Sequence, residues 1–205
     1  MNKTSDKNTK LTFGTLGYLD ISLKREIYED LSAAYTGTFK IKNTVSNDLT
    51  TYTLKIPYKT TEIVLTESDT KPLTVKIKLL TKTNYELSIY HEDFISKFLK
   101  LFGVKEIEIG NKSFDKKYWI KSNDSGLTKK ILKEDLINQM LTADFYSMIY
   151  KSKKESSELT TVVSRIVDLK TNYCNLIDLH QKLIDRLTYL RITTAGNNKQ
   201  TQLHE

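Results

Sequence analysis

The sequence predicts an α+β domain: an antiparallel, meander-rich sheet packed by three or four helices, the last of them long and amphipathic. Three observations carry this. Between Phe39 and Ile89, short runs alternate apolar and polar residues at period two and are separated by turn residues. Apolar residues at helical spacing flank that region on both sides. The block from Val104 to Leu141 reads as strand, tight turn, the segment F-D-K-K-Y-W-I-K-S-N-D, then an amphipathic helix.

In chain order, the polar residues 1–12 are expected to be disordered, 13–192 to form one domain and 193–205 to be a polar tail. A helix is predicted from Leu16 to Tyr35, with Leu23, Ile27, Leu31 and Ala34 on its apolar face and Gly37 taking positive φ as it ends. Four or five strands follow as a meander: Phe39–Lys42, Tyr52–Ile56 stopped by Pro57, Ile63–Leu65, Leu73–Leu79 and Tyr85–Ile89. The breaks at Ser46-Asn47-Asp48, Ser68-Asp69-Thr70 and Lys82-Thr83-Asn84 are turn chemistry.

A short helix is predicted from Glu92 to Phe102, with its acids at the positive end of the dipole and Gly103 after it. Ile107 and Ile109 read as a strand, Gly110-Asn111-Lys112 as a turn, and Tyr118–Lys121 as that strand's antiparallel partner. Ser122 or Asp124 can cap the helix presenting Leu127, Ile131, Leu132, Leu136 and Met140. Two more strands, Phe145–Tyr150 and Leu159–Val167, precede a helix from about Asp168 to Arg191. Its stripe is Tyr173, Leu176, Ile177, His180, Leu183, Ile184, Leu187 and Leu190.

Composition narrows the class. A chain of 205 residues buries roughly 70% of its unfolded surface and needs no metal or disulfide to fold. The single Cys174 excludes an intramolecular disulfide framework and a Cys-based zinc site. There is no apolar leader and no run of the roughly 18 apolar residues that a span requires. A soluble cytoplasmic protein is expected. The net charge of +7 is spread among interleaved acids. The lysines between Thr38 and Lys82 alternate with apolar residues, as the outward face of a sheet would.

The segment Phe114-Asp115-Lys116-Lys117-Tyr118-Trp119-Ile120-Lys121-Ser122-Asn123-Asp124, after a short glycine turn, resembles a mark of an uncharacterised bacterial family, a domain of unknown function. Ala34-Tyr35-Thr36-Gly37-Thr38-Phe39 is similar to the junction that opens that domain. The resemblance covers roughly Leu16 to Leu190. Larger members carry two membrane spans ahead of the domain, so the chain resembles a stand-alone form. The resemblance implies no activity.

Three residues are candidate functional positions. Asp115 reads as the acceptor of its own turn, against a general base or metal ligand without a partner acid. Trp119 and Tyr118 point to opposite sides of a strand, and an exposed aromatic between Lys117 and Lys121 could stack a nucleobase. His180 sits on an apolar stripe, where a satisfied core histidine competes with a site. No phosphate loop, dinucleotide fingerprint, zinc-protease or serine-hydrolase motif is present, and no cofactor, metal or catalytic residue is assigned. The leading functional reading is a non-catalytic binding or assembly module acting on a protein partner or on itself. The rivals are a nucleic-acid or anionic-surface binder using a Lys-rich sheet face, and an enzyme of unrecognised type in which Asp115, His180 or Glu108 converge.

Overall fold

The computed structural model describes residues 21–44, 49–68, 70–81, 83–92, 106–163 and 170–194. The predicted helix at 92–102, the start of the first helix and most of the tail lie outside them, apart from Glu92.

The α+β expectation holds. Helix α1 (Ile21–Ala34) leads into β1 (Thr38–Thr44), β2 (Leu49–Tyr58), β3 (Thr61–Ser68), β4 (Thr74–Thr81) and β5 (Glu86–His91). Then come α2 (Lys112–Lys117), β6 (Tyr118–Ser122), α3 (Ser125–Ile131) and α4 (Glu134–Ala143). The chain closes with β7 (Phe145–Lys153), β8 (Ser156–Val163), α5 (Lys170–Tyr189) and β9 (Thr193–Thr194). All pairings among the described residues are antiparallel, in the order β1-β2-β3-β4-β8-β7-β5-β6, with β9 added to β4.

The first four strands are the expected meander. The fifth is not the neighbour of the fourth, because β8 and β7 lie between β4 and β5. Alternation assigns a strand its faces and is silent on its neighbours. Pro57 does not stop β2. It pairs with Glu62 of β3 beyond the end of β1, where its missing N–H has no β1 partner to meet.

Tyr118–Lys121 pairs with β5, not with Ile107 and Ile109, and residues 106–109 add one bond to its free edge, from Ile107 N to Ile120 O at 3.0 Å. The helix predicted after Asp124 is two helices. Asp124 caps the first, accepting from Leu127 N. Lys133, in extended conformation, begins the second. The break lets Ile131 and Leu132 on one side, and Leu136, Ile137 and Met140 on the other, reach the same core.

Inward parity gives one core face: Tyr52, Leu54 and Ile56, then Ile63 and Leu65, Val75, Ile77 and Leu79, Leu159 and Val163, Met148 and Tyr150, Leu87 and Ile89, Tyr118 and Ile120. Helices α1, α3, α4 and α5 contribute their buried apolar residues to that same cluster. A bulge at Tyr146 shifts the register of β7, so that both Phe145 and Met148 face the core. The opposite face carries no helix among the described residues. Of α1, Lys24, Ile27, Tyr28 and Leu31 are buried, while Leu23 is exposed and Ala34 lies at the surface, so its buried stripe is turned from the predicted one. The predicted tail begins inside the fold, with Thr193 buried and paired to Thr81.

Candidate functional site

The F-D segment folds as a self-contained knot. Gly110, at φ +91°, turns the chain. Asn111 caps α2 by accepting from Phe114 N at 3.1 Å. Asp115 reaches back from the first turn, where its Oδ1 accepts from Ile109 N at 3.0 Å and its Oδ2 from Gly110 N at 2.9 Å. Phe114 is fully buried, 4.8 Å from the ring of Tyr118, which lies 4.8 Å from Phe145. The connection expected to be a tight turn is therefore a six-residue helix. Both oxygens of Asp115 hold backbone.

Tyr118 and Trp119 do point to opposite faces. Tyr118 lies in the core, while Trp119 lies on the helix-free face at only 7% exposure, its ring 6.1 Å from Tyr90. At that exposure it offers no free platform for a base.

His180 is fully buried between α5 and β8. Its Nδ1 lies 2.7 Å from Leu176 O, and its Nε2 2.9 Å from Thr161 Oγ1. A carbonyl only accepts, so Nδ1 carries the proton and Nε2 accepts from the threonine hydroxyl. Burial lowers the imidazole's pKa to about 4, which keeps the ring neutral.

Asp115, His180 and Glu108 do not converge. Asp115 caps a turn beside the sheet's β6 edge, three strand positions from β8, whose Thr161 holds His180. Glu108 is exposed and lines a shallow groove with Ser122, Asn123 and Lys129. Among the described residues no group of acids, histidines and cysteine could hold a metal ion, and no helix is long and apolar enough to cross a membrane.

The most convergent polar cluster was not legible in advance. Glu67, on the inward side of β3, is buried beneath α1 and α5. Its Oε1 accepts from Tyr28 OH at 2.7 Å and from Tyr173 OH at 2.9 Å, and its Oε2 lies 3.0 Å from Lys24 Nζ. The same ammonium sits 5.4 Å above the ring of Tyr52. The signal was present in two halves. Glu67 continues the inward parity of Ile63 and Leu65, and Lys24 lies one turn before Tyr28. Neither half is conclusive without the other. The carboxylate's bonds are made within the protein, so the cluster locks α1 and α5 to the sheet and opens no pocket.

A second lock closes the β2–β3 turn on α5: Tyr58 OH donates to Asp185, and Lys59 pairs with the same carboxylate.

Opposite these locks lies the face that carries no helix among the described residues. Cross-strand registers set its side chains in rows. One runs Trp119, Tyr90, Ser147, Val162, Thr74, Thr66, Thr53, Lys40. The next runs Lys121, Ser88, Ile149, Thr160, Lys76, Val64, Lys55, Thr38. A third alternates charge as Glu86, Lys151, Glu158, Lys78. The strand lysines thus share this face. Lys129 and Lys130 belong to α3, on the helical side, and Lys117 pairs with Asp144 at 2.7 Å. The basic residues do not form one continuous stripe.

Among the described residues the fold defines a class: an antiparallel sheet with its helices on one side. No protein-family model matches the chain, and no curated protein matches it in sequence. Among solved structures it is similar to the crystal structure of the mycobacterial trehalose monomycolate transport factor A, TtfA, with a TM-score of 0.54. The match covers 86% of this chain and 99% of that chain at 8% identity, a likeness of fold alone.

Proposed function

We propose that the chain is a non-catalytic binding or assembly module that takes a protein partner on the helix-free face of its sheet. The observation that carries this is the pattern of the three rows: threonines, Ser88 and small apolar side chains, half exposed apart from buried Ser147 and Trp119, set between lysines that alternate with Glu86 and Glu158. A surface of that kind is met by a partner with polar groups of both signs and an acidic bias. A nucleic acid is favoured less, since the acids repel phosphates and Trp119 is covered. The candidates for chemistry, part-exposed Asp115 and the buried His180 and Glu67, already spend their hydrogen bonds on the fold. A fold neighbour described as a transport factor accords with a role in handling another molecule. In the same reading the module works in a bacterial cytoplasm.

The test is site-specific photocrosslinking in cells, with a photoreactive residue at Lys76 on the open face or at Lys182 on the exposed side of α5. A discrete protein adduct from position 76, weakened by Lys78→Glu with Lys121→Glu, is expected. Adducts from position 182 alone, or from neither, would overturn the reading. An adduct removed by nuclease would favour the nucleic-acid alternative.

A further inference from the structure

Strand β1 is the first strand of the sheet and pairs only with β2 among the described residues. Its side chains from Thr38 to Asn43, except half-buried Phe39, are exposed, as expected of an edge strand. Three features distinguish this edge from a merely protected one.

On the helical side, Ile41 is 38% exposed beside Phe39, at the place where the core runs out. Next to it a shallow groove between α1 and β1 is lined by Glu29, Ser32, Ala33, Thr36, Gly37 and Phe39. The charge of Glu29 is met within α1 by Arg25 at 2.7 Å. On the open side, Lys40 and Lys42 stand opposite Thr53 and Thr51 of β2, and no acid of β2 faces them. The edge therefore offers apolar contact at alternate positions on one side and positive charge at alternate positions on the other.

The geometry points to the outer edge of β1 as a strand-addition site for an extended segment of a partner protein in which apolar and acidic side chains alternate. Added antiparallel, such a segment takes up the N–H and C=O groups that β1 turns away from β2. Its apolar side chains lie beside Ile41, Phe39 and Ala33, and its acids face Lys40 and Lys42. A second copy of this chain is the wrong occupant. In the antiparallel register centred on Ile41, Lys40 of one copy faces Lys42 of the other, and like charges directly opposite destabilise a pair. The lysines thus both prevent self-pairing and select the partner. This inference rests on the binding-module reading and adds the chemistry of the partner, at the β1 edge that borders the sheet's open face.

The test uses the full chain and two synthetic peptides, one alternating glutamate with valine and one alternating lysine with valine. Binding is read by fluorescence anisotropy and located by amide NMR. The glutamate peptide should bind, with shifts centred on Thr38–Asn43, and the lysine peptide should bind about tenfold more weakly or not at all. In the doubly reversed variant Lys40→Glu with Lys42→Glu, whose exposed sites leave the fold intact by circular dichroism, the preference should invert. Absence of binding, equal binding of the two peptides, shifts away from β1, or a wild-type dimer broken by the double reversal would each overturn the proposal. Crosslinking through Lys76 that survives such a failure would leave the open-face reading standing, so the two fail separately.

Discussion

His180 carries the clearest pH dependence of any single residue. Its neutral ring is held by Thr161 and Leu176 in a fully buried site, and its folded pKa is lowered to about 4 from 6.5. Above pH 6.5 both folded and unfolded rings are neutral and the stabilisation is complete. As pH falls from 6.5 towards 4, the unfolded chain takes up a proton that the folded chain refuses, so stability is lost across that window, by about 3 kcal/mol. A His180→Leu variant loses the two hydrogen bonds but also this acid penalty. The gap in urea midpoint between wild type and variant should therefore narrow from pH 7 to near pH 4, although other acids titrate in both. A constant gap would mean that the folded and unfolded rings take up the proton alike, and a widening gap that the fold favours the charged ring. The place of His180 on the buried stripe was legible, because a 3.6-residue period marks it. Thr161 as its partner was not, because nothing local links a strand position to a helix position 19 residues later.

At the scale of elements, the end of α1 shows how a local rule can be right in kind and one residue out. The helix closes with Gly37 N donating to Ser32 O at 2.8 Å and Thr36 N to Ala33 O at 3.5 Å, the paired bonds of a left-handed termination. The residue at positive φ is Thr36, at +50°, and not Gly37. Glycine is needed at 37 for a different reason: a Cβ there would lie 2.8 Å from Lys55 O of β2. A β-branched residue in the left-handed region is strained. Thr36→Gly should thus raise stability by about 1 kcal/mol despite the added freedom of the unfolded chain. Gly37→Ala should lower it by about 1–3 kcal/mol through the clash. Chemical denaturation of both variants checks the pair, and the opposite order would refute the assignment. The same limit explains the rest of the fold. Alternation and helical spacing found β1 to β8 and the α5 stripe, and Asp124 was one of the two caps offered, but Ile107 and Ile109 form no strand and β9 was missed. Strand order, the break at Lys133 and the Glu67 cluster depend on contacts distant in sequence, where local patterns carry no information.

At the scale of the molecule, closure is late. The central strand β4 obtains its second long partner only when β8 is made, with Thr74 facing Val162. The core is covered only when α5 docks. That helix reaches both halves of the sheet: Tyr173 meets Glu67 of β3, Asp185 meets Tyr58 of β2, His180 meets Thr161 of β8, and Arg186 lies 3.6 Å from Asp135 of α4. Seven of its apolar side chains are buried: Tyr173, Leu176, Ile177, Leu179, Leu183, Ile184 and Leu187. At about 1.5–3 kcal/mol each, their burial contributes at most ~10–20 kcal/mol. This is as large as the whole net stability of a typical domain, about 5–15 kcal/mol. The two halves of the sheet therefore cannot be separate folding units. A chain ending at Val163 should lack a cooperative thermal transition and bind an apolar dye, and a synthetic peptide of residues 164–194 should restore the transition. The intact chain should melt in one step by calorimetry. A truncated chain with a sharp transition of its own, or two resolved steps in the intact one, would show that the meander β1–β4 holds its structure without α5. The dependence would then run the other way, from a preformed sheet to a helix that merely covers it.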